Sequence, residues 1–281
     1  MAKKVVNTRL SRSFHMTFKP ERQYINALLR FAAAGEEGDY QRIADITGIP
    51  TGESSGKVPA TIDYCIGMGL ILMLGNKGSL KKPELTNLGR ILLLEDPYLK
   101  LEISQWLCHL NMCNREFGAD VWHHVFWTGY HSLGEAFSRE NLDAMLRSIY
   151  GNTNRGLIGP LVSMYEDDAS FKLCGALSES DQIISRKTAP IKDEMVRGYG
   201  AWLISACEQY FPKQKQVSVT EIEQKTGWLT IMGWMGRDLS TALDLMERKG
   251  IIKVDRHMNP WIISPLYSAK DAYKNMFNDM I

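Results

Sequence analysis

Residues 56–94 read GKVPATIDYCIGMGLILMLGNKGSLKKPELTNLGRILLL, and this stretch decides the predicted fold. Its opening carries apolar residues at helical spacing and stops at Gly69, a residue type that commonly ends helices. An apolar run at 70–74 and a second short segment at 79–85 stand on either side of a turn of glycine and asparagine, which predicts a β-hairpin. Thr86 then caps a further helix at the end of the stretch.

The residues before this stretch supply two more predicted helices. Residues 1–12 are basic and polar and lack an apolar period, so we expect a flexible arm there. After Pro20, apolar residues recur at helical spacing as far as Gly35. Asp39 caps a second, short helix that ends at Gly48. The order helix, helix, turn, helix, hairpin, helix is that of a winged helix-turn-helix.

The same order returns near the other end of the chain. Ser218 or Thr220 caps a short helix, and a loop rich in glycine and tryptophan follows at 228–236. The next helix carries an apolar face and ends at Gly250. Two short strands are predicted directly after it, at 251–254 and 260–263. In both units the last helix before the hairpin ends on glycine and leads straight into the first strand.

The residues between the two units are predicted to be mostly helical. Helical periodicity covers residues 98–111, 119–128, 138–150 and 195–210. Residues 167–188 lack that period, and we interpret them as an interdomain connection with short strands at 170–173 and 182–185. The predicted fold class is therefore mainly α with short β-hairpins, with two winged helix-turn-helix units flanking a helical middle region. The domains are predicted at residues 1–94, 95–188 and 189–281.

Composition and charge are those of an ordinary soluble globular protein. Of the 281 residues, 44% are hydrophobic and 23% are charged. The apolar runs are too short for a signal peptide or a membrane span, so we expect a cytoplasmic protein with no membrane partner. The five cysteines are odd in number and widely spaced, which argues against a disulfide framework. Residues 1–94 hold 13 basic and 8 acidic side chains, so we expect the amino-terminal region to be the better surface for phosphate.

Both units offer polar residues where a helix-turn-helix contacts DNA. In such folds the exposed face of the recognition helix reaches base edges in the major groove, and the wing holds phosphates. The candidates in the first unit are Ser55, Lys57 and Thr61, with Tyr64 beside them, and Lys77, Lys81 and Lys82 in or near the wing. The candidates in the second unit are Arg237, Ser240, Thr241, Lys253 and Arg256, with His257 and Asn259 beside them.

Two observations weigh against DNA contact. Asp238, Asp244 and Glu247 share the second recognition helix, where their negative charges would oppose DNA. Lysines on a hairpin are usually just solvated, and winged units also serve as protein-docking modules. Both interpretations of these residues therefore stay open at the level of the sequence.

Cysteine and histidine residues between the units raise the question of metal binding or catalysis. Cys108 and Cys113 are five residues apart, about 500° of helix rotation, so they do not share one helix face. The sequence lacks the paired C-x-x-C knuckles of zinc sites, a phosphate-binding loop and a nucleophile elbow. We therefore predict no catalytic residue, no metal ligand and no cofactor.

A compact polar group stands at the start of the first predicted helix. It consists of His15, Thr17 and Arg22. Such a group fits an anion held at a helix N-terminus, and it also fits a capping role, which we prefer.

Several motifs resemble the bacterial domain-of-unknown-function 4007 family. The likeness covers roughly residues 13–265, and it begins at Phe14-His15-Met16-Thr17-Phe18-Lys19-Pro20-Glu21-Arg22. Further matches are Gly56-Lys57-Val58, Ile62-Asp63-Tyr64, Gly69-Leu70-Ile71, Leu85-Thr86-Asn87-Leu88-Gly89-Arg90 and Glu95-Asp96-Pro97-Tyr98-Leu99. The resemblance implies a helix-turn-helix protein from phage-defence islands. Genes of this kind tend to lie beside sulfotransfer enzymes that are linked to phosphorothioation, the sulfur modification of DNA. It supplies no catalytic residue.

We expect a DNA-binding accessory or regulatory subunit of a genome-defence or DNA-modification system, whose partners are double-stranded DNA and a sulfotransfer-type enzyme. The alternative is a protein-interaction scaffold whose acidic middle region docks a partner enzyme. A third hypothesis is a nuclease or sulfur-chemistry enzyme built around Cys108, Cys113 and the His123-His124 pair. The sequence leaves open whether the chain forms a homodimer. The DNA-binding hypothesis requires residues 39–94 to expose a polar helix face beside a lysine-bearing hairpin.

Overall fold

The computed structural model describes residues 9–51, 56–74, 80–152 and 156–280. These residues form two compact units, 1–187 and 188–281, which are described separately below. Both units are mainly helical and contain small antiparallel sheets, as the sequence predicts. The break at 187–188 lies next to the predicted boundary at 188–189, whereas a division of the first unit at residue 94 stays a prediction.

Short helices and short strands alternate along the first unit. Its helices are α1 (Arg22–Ala33), α2 (Tyr40–Thr47), α3 (Lys57–Gly67), α4 (Asn87–Glu95), α5 (Glu102–Met112), α6 (Asp120–His123), a π-helix (His124–Thr128), α7 (Tyr130–Leu133), α8 (Arg139–Tyr150) and α9 (Ile158–Glu166). Its strands are β1 (Ile71–Met73), β2 (Pro83–Leu85), β3 (Ala136–Ser138), β4 (Leu177–Ser180) and β5 (Ile183–Arg186).

The predicted caps set the ends of the first helices. The Asp39 carboxylate accepts a hydrogen bond of 2.8 Å from the backbone N–H of Arg42, and Gly48 ends α2 in the left-handed region. The Thr86 hydroxyl caps α4 by accepting from the Gly89 N–H at 2.9 Å. These contacts confirm the predicted bounds of α2 and α4.

The predicted hairpin is present as β1 and β2, which pair antiparallel with Leu72 opposite Glu84. The segment just before β2 is hydrogen-bonded to the turn before α2, because Gly38 and Lys81 exchange both backbone hydrogen bonds, at 3.1 and 2.8 Å. On the other side, α4 lies so close to β1 that a Cβ on Gly89 would stand 2.0 Å from the Leu70 carbonyl oxygen.

The described end of the predicted flexible arm is anchored, which corrects the expectation for residues 9–12. Leu10 is buried, and its backbone bonds to Gly118 and Asp120 at 2.9 and 3.2 Å. The Arg9 guanidinium forms an ion pair of 2.8 Å with Asp120. An apolar side chain within a basic segment was enough to fix this stretch to the core.

The predicted interdomain connection at 167–188 is wrong, because this segment belongs to the core of the first unit. Phe171, Cys174 and Leu177 are fully buried. Its hairpin joins β3 in a three-stranded antiparallel sheet with the order β3-β5-β4. The strand predicted at 170–173 is a turn, whereas the one predicted at 182–185 is shifted by one residue to β5.

The second unit contains the elements of the second predicted repeat. Its helices are a 3-10 turn (Asp193–Met195), α10 (Val196–Tyr210), α11 (Val219–Thr226), α12 (Trp228–Met232), α13 (Arg237–Arg248) and α14 (Ala269–Lys274). Its strands are β6 (Val217–Ser218), β7 (Ile252–Asp255) and β8 (Ile262–Pro265), in the antiparallel order β6-β8-β7.

The first half of the loop predicted at 228–236 forms the helix α12, because a side chain of α11 caps the start of α12. The Glu223 carboxylate accepts hydrogen bonds from the backbone N–H of Leu229 at 2.8 Å and from the Thr230 hydroxyl at 2.6 Å. The buried rings of Trp228 and Trp234 then meet edge to face at 5.8 Å. Together these contacts fix the turn that leads into α13.

We expect Gly89→Ala to lower the free energy of unfolding by about 2 kcal/mol or more, because its methyl group would overlap a backbone carbonyl that cannot move without distorting β1. The measurement is urea denaturation of both proteins. Gly159→Ala in α9 is the matched control, since a Cβ there meets no atom within 4 Å, and it should be neutral or slightly stabilising. Equal stability of the two variants would contradict this packing.

Candidate nucleic-acid interface

Helix α13 presents a polar ridge along one side. Arg237, Thr241, Asp244 and Arg248 follow one another at spacings of four, three and four residues, so they share one helix face, and all four are exposed. The opposite face, with Ala242, Leu243 and Met246, is fully buried. This separation of faces is what a recognition helix needs, because the apolar side holds it while the polar side stays accessible.

The β7–β8 hairpin lies directly beside this ridge. The backbone N–H of Val254 donates to the Glu247 carboxylate at 2.9 Å, which joins the first strand of the hairpin to α13. Lys253 is exposed on the same strand and pairs in register with Ser264. The hairpin therefore places Lys253 next to the helix, in the place where a wing would hold phosphate, with Asp255 exposed on the same face of the strand.

Arg256 bridges two of the acidic residues on α13, and its single positive charge offsets one of their two negative charges. Its guanidinium pairs with Glu247 at 2.7 Å and also with Asp244, and it lies 5.5 Å from the centre of the Trp261 ring. The hydrogen bond from the Val254 backbone N–H, and after it the contact with Arg256, hold the pKa of Glu247 below its usual value. The sequence predicts Arg256 as a DNA contact, but the structure gives it the role of joining wing and helix.

Three cations on this surface remain available. The side chains of Arg237, Arg248 and Lys253 form no ion pair with any residue that the structure describes. Ser240 is half-buried, and the Thr241 hydroxyl donates to the Arg237 carbonyl at 2.9 Å. Arg248 was missed by the sequence analysis, although its spacing of seven residues from Thr241 was a readable sign that the two share a face.

The corresponding helix of the first unit is α3, and its predicted exposed face is not exposed. Thr61 and Tyr64 are buried, and the Tyr64 hydroxyl donates to the Phe18 carbonyl at 3.0 Å. Val58, Ile62 and Cys65 are buried on the other side. The prediction that Thr61 and Tyr64 face a ligand is therefore wrong, because α1, α2 and α5 pack around the helix. The exposed polar face that the DNA-binding hypothesis requires of the recognition helix within residues 39–94 is absent from α3, so the hypothesis cannot rest on the first unit.

The predicted cations of the first unit have partners within that unit. Lys57 pairs with Glu21 and lies 5.0 Å from the centre of the Tyr24 ring. Lys82 pairs with Glu37 at 3.3 Å. The Lys81 ammonium lies 5.6 Å from the centre of the Tyr40 ring. Ser55 and Lys77, which complete the predicted set, lie outside the described residues.

The cysteine and histidine group is a buried polar cluster. The Tyr165 hydroxyl accepts from Trp122 Nε1 at 2.9 Å and pairs with His109 Nδ1 at 2.7 Å. His123 donates from Nδ1 to the Cys113 carbonyl at 3.2 Å. These contacts satisfy buried polar groups and hold the aromatic core together.

Burial keeps the members of this cluster uncharged. It lowers the pKa of His109 to about 3 and that of His123 to about 4, and it raises the pKa of the Cys108 and Cys113 thiols well above the ordinary value. A nucleophilic or metal-binding cysteine acts as the thiolate, which this environment disfavours. Across the described ranges no three His, Cys, Asp or Glu side chains converge on a possible metal site.

The fold resembles two solved structures, and sequence comparisons add no family. A crystal structure of SspB with a bound magnesium ion has a TM-score of 0.69 at 14% identity, over 98% of this chain and 88% of the SspB chain. A second crystal structure of SspB has a TM-score of 0.68 at 14% identity, over 98% and 89%. No protein-family model and no curated protein matches the sequence, so membership of the domain-of-unknown-function 4007 family stays a prediction. Within the described residues, no helix is long and apolar enough to cross a bilayer.

We expect the protein to lose stability as the pH falls from about 6.5 to 4. Burial lowers the pKa of His15 and His123 to about 4 and of His109 to about 3. As the pH falls, these histidines therefore bind protons in the unfolded chain before they do so in the folded chain, which favours unfolding. The stabilisation is complete above pH 6.5, and each histidine should contribute on the order of 2 kcal/mol of loss by pH 4. Asp63, whose pKa burial raises to about 6, acts in the opposite direction.

The measurement is the urea midpoint between pH 7 and pH 4.5. His109→Gln removes one buried titrating group, so its stability should fall less steeply with pH than that of the wild type. His257→Gln, an exposed histidine on the hairpin loop, is the control and should follow the wild type. A midpoint that does not change over this range would show that the histidines do not titrate as described.

We expect all five cysteines to resist alkylation in the folded protein, because all of them are buried with raised pKa values. Iodoacetamide at pH 8 followed by intact-mass measurement should show no adduct on the native chain and five in urea. Rapid modification of Cys108 or Cys113 in the native protein would instead support the hypothesis of a reactive centre there.

Proposed function

We propose that this protein is a DNA-binding component of a bacterial genome-defence or DNA-modification system, and that it contacts duplex DNA through its second unit. The elements α10, β6, α11, α13, β7 and β8 follow the order of a winged helix-turn-helix, with α13 as the recognition helix and the β7–β8 hairpin as the wing. The first unit is proposed to be a second copy of this arrangement with a structural role.

The observation that carries the proposal is the exposed ridge of α13 beside Lys253 on the hairpin. Arg237 is the first residue of α13 and Arg248 is the last, so their side chains stand at the two ends of the exposed face that would lie in the major groove. Lys253 adds a charge for a backbone phosphate. Because the charge of Arg256 offsets one of the two carboxylates of Asp244 and Glu247, the acidic residues on α13 oppose DNA less than their number suggests, although Asp238 forms no ion pair with a described residue.

The assignment to a defence or modification system is supported by the motifs that resemble the domain-of-unknown-function 4007 family, and the similarity to SspB supports the fold. One SspB structure contains magnesium. We assign no magnesium ligand to this chain, since the residues described offer no cluster of three ligating side chains. The sequence-based expectation that the chain is not an enzyme stays a prediction.

The contacts within the first unit support the scaffold alternative. There, the described lysines that were predicted to contact DNA are held by acidic or aromatic side chains, and α3 is covered. Such a unit is better suited to packing and to protein docking than to binding phosphate. The two functions are compatible, because each one uses a different unit.

We expect Arg237→Ala/Arg248→Ala to weaken binding to duplex DNA by about tenfold. The slope of log affinity against log salt concentration should become shallower by the contribution of about two phosphate contacts. Fluorescence anisotropy with a labelled duplex, over a range of salt concentrations, measures both quantities. The control is Lys82→Ala/Lys270→Ala, which removes two positive charges away from α13 and its hairpin, one half-buried and paired with Glu37 and one exposed, and it should bind as the wild type does.

Unchanged affinity in Arg237→Ala/Arg248→Ala, or an equal loss in the control, would remove α13 from the DNA interface. Absence of duplex binding by the wild type, together with a stable complex with a purified sulfotransfer-type enzyme from the same system, would favour the scaffold.

A further inference from the structure

A cavity of about 590 Å³ opens on the first unit, between the start of α1, the loop before α5 and the turn after α9. Three cations and one carboxylate line it. These charged groups are Arg22, Lys100, Lys172 and Asp168. None of the DNA contacts predicted from the sequence lies here, and the cavity belongs to a different unit from the α13 ridge.

The guanidinium of Arg22 is held rigidly at this cavity. Its Nη1 donates to the carbonyl oxygens of Tyr98 and Leu99 at 3.2 and 3.4 Å, and its Nη2 donates to the Asp168 carbonyl. The third donor, Nε, is buried and has no partner among the described residues. The backbone thus fixes a cation that forms no ion pair with any described residue.

The loop before α5 holds a strained conformation that places these groups. Leu99 is fully buried and has a φ of 50°, a left-handed value that a leucine rarely adopts. Its carbonyl also accepts from Gln105 Nε2 at 2.7 Å. The Asp96 carboxylate accepts from the backbone N–H groups of Lys100 and Leu101 at 2.8 and 2.9 Å. This strain is maintained by buried hydrogen bonds, and it brings Lys100 to the cavity.

A buried hydroxyl also lacks a partner at this place. Ser170 lines the cavity, its side chain is completely buried, and its Oγ forms no hydrogen bond with any described residue. Buried polar groups in native proteins are nearly always paired, so an unpaired one beside cations points to a missing acceptor. Lys172 pairs with Asp168 at 2.9 Å, whereas the Lys100 side chain has no ion pair among the described residues.

We infer that this cavity binds the phosphate group of a nucleotide. A dianionic phosphate supplies acceptor oxygens for the Ser170 hydroxyl and for Arg22 Nε, and it balances the surplus of positive charge. Leu173 lines the cavity and Tyr98 contributes the carbonyl that accepts from Arg22, and these two large residues are 50% and 45% exposed. An aromatic ring next to a phosphate site is suited to stacking on a base.

The test is isothermal titration calorimetry on the full chain with three probes. These are inorganic phosphate, thymidine 5′-monophosphate, and a short single-stranded oligonucleotide with and without a 5′-phosphate. We expect the mononucleotide to bind at least about threefold more tightly than inorganic phosphate, because only the mononucleotide has a base to stack on Tyr98. A 5′-phosphate that strengthens oligonucleotide binding beyond that of the mononucleotide would identify a DNA end as the source of the same phosphate.

Lys100→Ala and Ser170→Ala should each weaken mononucleotide binding by about threefold to tenfold, and Tyr98→Ala should weaken the mononucleotide but not inorganic phosphate. Lys270→Ala in the second unit removes the same charge and should have no effect. Circular dichroism and the urea midpoint confirm that each variant is folded, and Lys100→Arg should retain binding.

No binding of any probe by the wild type would overturn the inference, as would Lys100→Ala and Ser170→Ala variants that bind like the wild type. A mononucleotide that binds no more tightly than inorganic phosphate would overturn the assignment to a nucleotide. Arg237→Ala/Arg248→Ala should leave mononucleotide binding intact, so failure here and failure of the α13 interface are separate results.

Discussion

The burial of α3 is the constraint on which the first unit depends. A helix covered on nearly every side supplies core contacts to its neighbours, and its polar atoms must find partners inside the protein. Tyr64 does so through the Phe18 carbonyl, and Lys57 does so at the helix start through Glu21. These two contacts attach the segment before α1 to α3. The face of α3 that the sequence predicts to contact DNA is therefore packing surface in this unit.

In the second unit, the pairing of charges, and not burial, decides which residues of the helix are available to a ligand. The helix α13 is amphipathic, so its polar face is exposed whatever its charges are. Arg256 extends from the hairpin to Asp244 and Glu247, and its positive charge offsets one of these two carboxylates, so that Arg237 and Arg248 oppose a smaller negative charge on α13. The ion pairs are exposed and each stabilises the fold little. Their larger effect is on the local electrostatic potential.

Much of the fold could be predicted from the sequence, because it follows from local rules. Glycines at helix ends and the caps Asp39, Thr86 and Ser218 specify where helices begin and end, and the structure agrees. The predictions that failed concern contacts between residues that are distant in the sequence. Residues 167–188 lack helical period because they form turns and a small hairpin, and only their burial shows that they belong to the core. No local pattern reveals that Glu223 caps the helix after its own.

The candidate sites were harder to predict than the fold, because pairing between charges is decided in three dimensions. Counting basic residues along the chain favours the amino-terminal region, yet Lys57 and Lys82 there are compensated by acidic residues that are distant or unremarkable in sequence. Arg22, by contrast, forms no ion pair with any residue that the structure describes. It stands at the end of one of the motifs that carry the family resemblance, and the loop whose carbonyl groups hold it contains another of these motifs. A surplus of positive charge attracts an anion only where rigid backbone keeps acidic side chains from reaching it. This condition, rather than the number of lysines, separates the cavity beside α1 from the hairpin next to α4.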